Sequence, residues 1–412
     1  MSRPHYIVGL EIGTSKICTV VGELRDDGAV AIIGVGVCPS RGVRKAEVVD
    51  LDTAEQCVRQ SAHAAEESAG VDIRGVYAGV SGSHVGSLNN RGVQPILGEH
   101  NEVSEADVEA VLRHARTINI PNQNVILHAL CRRYDVDGRD DVENPVGLSG
   151  SRLQAEVHVI HAVRSRTENT IKCVRDLLPL EVNEVAFNGY AASLAVLTEE
   201  QKQLGALVID MGGGTTEFVI CARGAIRHSG VVAVGGDHIA NDISLGLKIP
   251  LSAAERLKVD YGSVLLEDTL KSQTVSLSGE ISIGATVIFK DHLCQIMRLR
   301  VEETLQLIKR ELEKSGCAQL LSAGVFLTGG CAHVRGIQQL AESVLGLPVQ
   351  IGTAKTVMGL TEALDRPEYA TPIGIVRFGA MCEEMERRSA RRGGRIKVFF
   401  NNILDSIRSR PA

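Results

Sequence analysis

The chain has 412 residues, 44% apolar and 23% charged, a globular balance with room for roughly two to four domains. No run approaches the ~18 apolar residues of a membrane span and no signal-peptide pattern opens the chain, while ten scattered cysteines without a CxxC read as reduced thiols of a cytosol. The net charge of −6 is uneven: residues 387–412 hold eight Arg or Lys against Asp405, a balance of +7 that leaves −13 on the body, and although nucleic acid could attract such a tail, an acidic body with 3% aromatics and no Trp argues against it as a partner.

The first element is a hairpin. Residues 6–24, YIVGLEIGTSKICTVVGEL, pass from an apolar run through Glu11, Gly13, Thr14 and Ser15 into a second strand-like run. A Walker loop or a dinucleotide fingerprint puts its glycines before a helix, so neither fits this strand-to-strand turn. Further on, EVSEADVEAVLRHARTI predicts a helix opened by Ser104-x-x-Asp107, resembling a capping box, and SRLQAEVHVIHAV predicts a strand. His158 and His161 lie in that strand and read as structural. The twelve histidines form no HExxH or Cys/His cluster, so no dedicated metal cage is expected.

Residues 206–224, ALVIDMGGGTTEFVICARG, repeat the hairpin with Asp210, Gly212, Gly213, Gly214, Thr215 and Thr216. The 199 positions from Glu11 to Asp210 suggest a duplicated architecture whose two turns face one cleft. Glycine lets backbone N–H groups approach phosphate, threonine hydroxyls add donors, and a neighbouring carboxylate can face a hydrated magnesium ion. Together the turns would clamp a nucleoside polyphosphate; each alone also reads as a tight hairpin.

In LSAAERLKVDYGS, Glu255 and Lys258 share a helical face at i,i+3, a spacing that in isolation marks a surface ion pair. Leu293, Ile296, Met297, Leu305, Ile308 and Leu312 predict a long helix over 292–314. Residues 323–346, AGVFLTGGCAHVRGIQQLAESVLG, predict a strand, the turn Thr328-Gly329-Gly330, then a helix with Val334, Ile337, Leu340, Ala341 and Val344 on its apolar face. A helix N-terminus behind close-approach glycines suits one edge of a nucleotide.

The chain ends in GGRIKVFFNNILDSIRSRPA. At about 100° per residue, Ile396, Phe399, Phe400, Ile403, Leu404 and Ile407 fall on one arc, with Lys397 and Arg408 on one edge and Arg395 on the other. Anionic lipid suits such a helix, since each basic residue near the surface contributes about 1 kcal/mol. Docking on the body or on a partner, or a disordered tail, are the alternatives.

The order of two phosphate hairpins, a Glu-x-x-Lys helix and a TGG turn resembles the actin, Hsp70 and hexokinase superfamily. Within it, VGLEIGTSKICTVVGE, IIGVGVCPSRGVRKAEVVDL, NPVGLSGSRLQAEVHVI, VIDMGGGTTEF and VFLTGGCAHVRGI resemble the bacterial cell-division FtsA family, from about residue 6 to 380. The resemblance implies an α/β, actin-like duplicated fold: two α/β halves around a nucleotide cleft, an inserted FtsA-type 1C subdomain and a C-terminal amphipathic helix. Subdomain 1A would comprise 1–83, 163–197 and 365–380, with 1C at 84–162. Subdomain 2A would comprise 198–239 and 323–364, with 2B at 240–322, a basic linker at 381–394 and the membrane-targeting helix at 395–408.

The same resemblance implies ATP and magnesium as ligands. Gly13, Thr14, Ser15, Gly212, Gly213, Gly214, Thr215 and Thr216 would serve the phosphates, with Asp210 on the magnesium side and Gly235 and Gly236 nearby. Lys16 is a candidate phosphate contact, although its spacing from Glu11 departs from that of the corresponding lysine in actin. Glu255 and Lys258 would approach ribose and adenine, and Gly329 and Gly330 the base. Arg300 and Glu303 match an R-x-x-E in the family's grip on the C-terminal peptide of the tubulin-like protein FtsZ; a solvated helix face is the plain alternative. Asn188 falls where relatives place a water-orienting Gln or Glu, and an amide cannot take the water's proton, so weak or absent ATP turnover is expected. The implied role is a peripheral protein on the cytoplasmic face of the cell membrane, at the septum. There it would polymerise, tether FtsZ filaments and meet other division proteins through 1C. The pilus protein PilM and the small-molecule kinases share the superfamily fold; the lipid-type tail argues against the first and Asn188 against the second.

Overall fold

The computed structural model describes residues 5–97, 99–175, 180–277, 286–359 and 361–391. β1 (His5–Ile12), β2 (Lys16–Leu24) and β3 (Val30–Pro39) form a meander, followed by a miniature hairpin of β4 (Val43–Arg44) and β5 (Glu47–Val48), then α1 (Leu51–Ala69) and β6 (Gly75–Val80). β7 (Val85–Pro95), α2 (Glu105–Arg116), β8 (Asn124–Val136), β9 (Arg139–Val142) and β10 (Arg152–Val163) come next. The first half closes with α3 (Arg164–Arg175), β11 (Glu181–Phe187), α4 (Asn188–Val196) and α5 (Glu199–Leu204). The second half begins with β12 (Ala206–Met211), β13 (Thr216–Ala222), β14 (Ala225–Val232), α6 (Gly236–Leu247) and α7 (Leu251–Tyr261). It continues through β15 (Thr274–Leu277), β16 (Thr286–Phe289), α8 (Lys290–Ser315), β17 (Gly324–Thr328), α9 (Ile337–Leu345) and β18 (Val349–Ile351), and α10 (Ala370–Arg391) then returns to the first half.

Two five-stranded sheets share one plan. In β3-β2-β1-β6-β11 an antiparallel meander is extended by two parallel strands, and β14-β13-β12-β17-β18 has the same order and directions. Each glycine turn thus joins the first two strands of its meander, at equivalent places in the halves. The central strands are buried on both faces, which is why β12 reads ALVIDM and β17 GVFLT without alternation.

Packing follows from the helix faces. The Asp50 side chain caps α1 by accepting from Thr53 N–H, left-handed Gly70 ends it, and its small-residue stripe (Ala54, Cys57, Val58, Ala62, Ala65) lies in the first core. α10 adds Ile373, Ile375, Val376 and Phe378 to that core, and α8 anchors the second with Leu293, Met297, Leu305, Ile308 and Leu312. The segment 85–163 builds a separate sheet, β7-β10-β8-β9, under α2, with its own core around Val111, Leu112, Leu153 and Val157. α2 opens on the Ser104/Asp107 capping box, Asp107 N–H donating to Ser104 Oγ at 3.2 Å and Ser104 N–H to the Asp107 carboxylate at 3.0 Å.

Two elements differ from the sequence expectation. The helix expected directly after Gly330 is delayed by a single 3-10 turn, Gly330–His333, and by Gly336, whose φ of 83° redirects the chain before α9. Residues 381–391, expected as a linker, continue α10. The membrane-targeting helix expected at 395–408 lies outside the described residues. Among the described residues no helix is long and apolar enough to cross a membrane.

Candidate functional site

The two glycine turns close alike. Gly13 N–H donates to Lys16 O at 3.0 Å, and Gly212 N–H to Thr215 O at 2.9 Å. Between those closures the amides of Thr14, Ser15, Gly213 and Gly214 have no intramolecular partner among the described residues, and successive free amides in a tight turn form an anion-binding concavity. The turns meet closely: a Cβ on Gly214 would lie 2.5 Å from Thr14 Oγ1 and one on Gly213 3.2 Å from Ser15 Cβ.

A cavity of about 410 Å³ lies between them. Glu11, Gly13, Thr14, Ser15, Lys16 and Asn188 line it from the first half; Asp210, Gly212, Gly213, Gly214, Thr215, Gly236, Glu255, Lys258, Gly329 and Gly330 line it from the second. Thr216 and Gly235 are not on its wall. Thr216 is fully buried and donates to Val234 O at 2.7 Å, and Gly235 packs beneath the triple-glycine turn, where a Cβ would lie 2.6 Å from Gly212 O and from Gly213 O.

Each wall element is held by hydrogen bonds. The first turn of α6 docks on the triple-glycine turn, Gly236 N–H to Gly212 O at 3.0 Å and Asp237 N–H to Gly213 O at 2.7 Å. Lys258 pairs with Glu255 at 2.6 Å and donates to Gly236 O at 3.1 Å, so its ammonium turns to the cleft wall while Glu255 stays half-exposed. Lys16 is engaged elsewhere, donating to Glu368 O at 2.6 Å and to Glu11 at 3.3 Å. Asn188, the first residue of α4, keeps a buried side-chain oxygen with no partner, an acceptor that a bound water or ligand donor would satisfy.

The deepest wall holds residues that spacing alone did not flag. Glu217 is the cross-strand partner of Asp210, so both carboxyls stand on one face of the β12–β13 ladder. Thr371 of α10 donates to Asp210, Ser81 after β6 donates to Glu217, and Thr215 donates to Glu217 at 2.7 Å. Burial drives both carboxyls above the ordinary range; Glu11 adds repulsion at Asp210, and Asp210 adds it at Glu217, only partly offset by the hydroxyl donors and Lys16. Among the described residues no three His, Cys, Asp or Glu side chains group into a metal cage. Glu11 and Asp210 on the cleft wall instead suit a hydrated divalent cation carried in by a ligand, while the Glu217 carboxyl is held by Ser81 and Thr215. The alternation of β13 was the available signal for Glu217, since it returns to the face of Thr215; Ser81 and Thr371 had none.

Arg300 and Glu303 are not on the cleft wall. Arg300 Nε donates to Asp242 of α6 at 2.5 Å and its guanidinium also pairs with Glu303, one turn along α8. The tail residues Ile396, Phe399, Phe400, Ile403, Leu404, Ile407, Arg395, Lys397 and Arg408 are outside the described residues.

Comparison with known proteins gives the lineage. Residues 207–374 match the family model for the cell division protein FtsA, and residues 82–161 match that for the SHS2 domain inserted in FtsA. The chain is 36% identical over 373 residues to the cell division protein FtsA of Pseudomonas aeruginosa, covering 90% of this chain and 89% of that protein. It is 36% identical over 380 residues to that of Escherichia coli K12, covering 90% of each. Among solved structures, a chain of the PilM-PilN type IV pilus biogenesis complex superposes with a TM-score of 0.64 at 20% identity, covering 91% of this chain and 98% of that one. MreB5 of Spiroplasma citri bound to ADP superposes with a TM-score of 0.51 at 15% identity, covering 95% and 99%. These structures share the fold alone, but identity at the level of the bacterial relatives, spread over nine-tenths of the chain, is decisive: the chain belongs to the FtsA family of cell-division proteins, with an actin-like fold.

Proposed function

We propose that this protein binds magnesium ATP in its cleft, polymerises on the inner face of the cytoplasmic membrane at the septum, and tethers FtsZ filaments there, helping to assemble and regulate the division ring. The carrying observation is the pair of equivalent turns whose unpartnered amides border one cavity. That MreB5, of the same fold, was solved with ADP supports it.

In this reading Gly13, Thr14, Ser15, Gly212, Gly213, Gly214 and Thr215 hold phosphate oxygens, Asp210 and Glu11 face magnesium, Glu255 and Lys258 meet ribose and adenine, and Gly329 and Gly330 border the base. Magnesium supplies positive charge that offsets the phosphates and the buried carboxyls together. Asn188 positions a water without accepting its proton, so turnover is weak or absent and the nucleotide works mainly as a ligand between the halves. Arg300 and Glu303 contribute to the grip on the FtsZ C-terminal peptide, and the 84–162 insert meets other division proteins.

The tail supplies reversible attachment. Its six apolar side chains are worth ~1.5–3 kcal/mol each when fully buried and less when half-sunk in a lipid interface, so a single tail binds weakly. A filament aligning many tails binds far more tightly. The test is co-sedimentation with anionic vesicles, magnesium ATP and a labelled FtsZ C-terminal peptide, with and without residues 393–412. The full chain should bring the peptide down and the truncated chain should not; lipid binding without the peptide would remove FtsZ as the partner.

A further inference from the structure

The segment RGVRKAEVVD, one of those that carried the family resemblance, has no part in that account. It folds into a strap. β4 and β5 pair with Arg44 opposite Glu47, leaving the two-residue turn Lys45-Ala46. Both residues are left-handed, at φ 51° and 59°. A two-residue hairpin turn with positive φ at both positions normally takes Asn and Gly, because a Cβ is disfavoured there. An outlier of this kind persists where the surroundings hold it, and such places concentrate at ligand clamps.

The surroundings here are the two phosphate turns. Ala46 N–H donates to Thr14 Oγ1 at 2.8 Å. Lys45 lies on the triple-glycine turn, where a Cβ on Gly214 would fall 2.7 Å from Lys45 Cα and 2.9 Å from its nitrogen. The base of the strap is fixed to the first half by Glu47, which pairs with Arg166 and lies 3.3 Å from both Ser83 Oγ and His84 Nδ1. A first-half element thus reaches across to the second phosphate turn.

Charge gives the strap a purpose. Lys16 is tied to Glu11 and Glu368 O, Lys258 to Glu255 and Gly236 O, and Arg366 to Glu368. The Lys45 side chain makes no hydrogen bond or ion pair among the described residues. It borders a second cavity, of about 650 Å³, with Arg44, Asp237, His238 and Glu255; Asp237 and Glu255 also line the first cavity. The strap reaches the wall of the first cavity through Ala46, whereas Lys45 faces the adjoining second cavity, from which its uncommitted ammonium can swing toward a terminal phosphate set between the turns.

Resting on the cleft as a nucleoside-triphosphate site, we infer that the 43–48 strap is a terminal-phosphate clamp. Ala46 sets its height over Thr14, and Lys45 supplies the charge that distinguishes a nucleoside triphosphate from a diphosphate. The test is titration of the full chain with magnesium ATP and magnesium ADP, read by calorimetry, for the wild type, Lys45→Gln, Lys45→Arg and, as a control, Lys314→Gln on exposed α8. Lys45→Gln should weaken ATP about tenfold or more, the scale of a lost charge-assisted hydrogen bond, and ADP by less than about threefold. Lys45→Arg should keep the preference for ATP, and Lys314→Gln should change neither affinity. Equal weakening of both nucleotides, or none, would overturn the clamp while leaving the cleft assignment intact. A wild type that binds neither nucleotide would overturn the cleft assignment and the clamp with it.

Discussion

Gly329 and Gly330 are neighbours on the cleft wall, yet an added methyl group meets different surroundings at each. Gly329 has φ 83° and ψ 173°, a region essentially reserved for glycine, and a Cβ there would run into the Asp210 carboxylate and lie 2.6 Å from Met211 O. The strain is worth about 1–3 kcal/mol and the overlap with fixed backbone about as much again. At Gly330 nothing lies within 4 Å of a Cβ. Gly329→Ala should therefore destabilise the ligand-free protein by about 2–6 kcal/mol, and Gly330→Ala by less than about 0.5 kcal/mol. A methyl at 330 instead occupies the space assigned to the base, and should weaken ATP about 5- to 30-fold, equivalent to ~1–2 kcal/mol. Urea unfolding with and without magnesium ATP separates the effects, since ATP at 100 times its Kd stabilises the wild type by about 2.7 kcal/mol. Equal stability of the two ligand-free variants would refute the backbone account of Gly329. An undiminished ATP effect in Gly330→Ala would remove the base from that wall.

Other expectations reach the rest of the chain. Phe399→Glu should release the protein from anionic vesicles in co-sedimentation; unchanged pelleting sinks the lipid role of the tail. Arg300→Ala should abolish pull-down of the FtsZ C-terminal peptide while ATP binding persists, because Arg300 bonds Asp242 and Glu303 rather than the cleft. In the insert, hydrogen bonds from Arg133 and Arg91 hold the Glu156 carboxyl down at about 2, below its ordinary 4.5. Such a carboxylate stabilises above its unfolded pKa and ceases to as pH falls through the folded value, so after allowance for solvent screening Glu156→Gln should cost about 1–3 kcal/mol at pH 7. The gap between the two denaturation curves should close toward pH 2, and a pH-independent gap would contradict the ion-pair account.

The glycine turns were legible because their constraint is local. A Cβ on Gly13 would lie 2.7 Å from Lys16 O and one on Gly214 2.5 Å from Thr14 Oγ1, so tight turns of this kind favour glycine, and the same pattern written twice announced a duplicated fold. The Ser104/Asp107 cap and the apolar stripe of α8 are likewise near-neighbour patterns, and both appear as read. What the sequence hid depends on partners far along the chain. Thr371 reaches Asp210 across 161 positions, and Ser81 reaches Glu217 across 136, with residue types too common to mark a site. Lys258 looked like half of a surface pair because spacing along a helix cannot show that Gly236 O lies over its other side. The helix after Gly330 was placed too early because periodicity registers apolar residues and not the left-handed turn at Gly336 that interrupts them. Lys45-Ala46 was hidden for a related reason: neither residue announces positive φ, so the strap was visible only as part of a family-like string.

The floor of the cleft makes one more property calculable in sign. Asp210 and Glu217 are cross-strand partners under the same cavity, with Glu11 and Lys16 from the first sheet, Thr371 from α10, Ser81 from the β6 end and Thr215 from the turn as the groups facing them. Burial raises both carboxyls, with added repulsion from Glu11 at Asp210 and from Asp210 at Glu217, so in the ligand-free fold they hold protons that the unfolded chain has already released. Stability from a raised carboxyl is complete below the unfolded pKa and drains away as pH climbs through the folded one. The ligand-free protein should therefore lose stability between about pH 5 and about pH 8, and Glu217→Gln, which removes one ionisable group while keeping an oxygen for Ser81 and Thr215, should flatten that decline. Magnesium ATP should flatten it as well, because a divalent cation beside Asp210 removes the penalty for ionising the pair. Parallel pH profiles for wild type and Glu217→Gln would mean that these carboxyls do not govern the cleft's charge. Convergence of the two profiles on adding magnesium ATP would tie the same carboxyls to the ligand, since the cation acts on the ionised pair that the substitution removes.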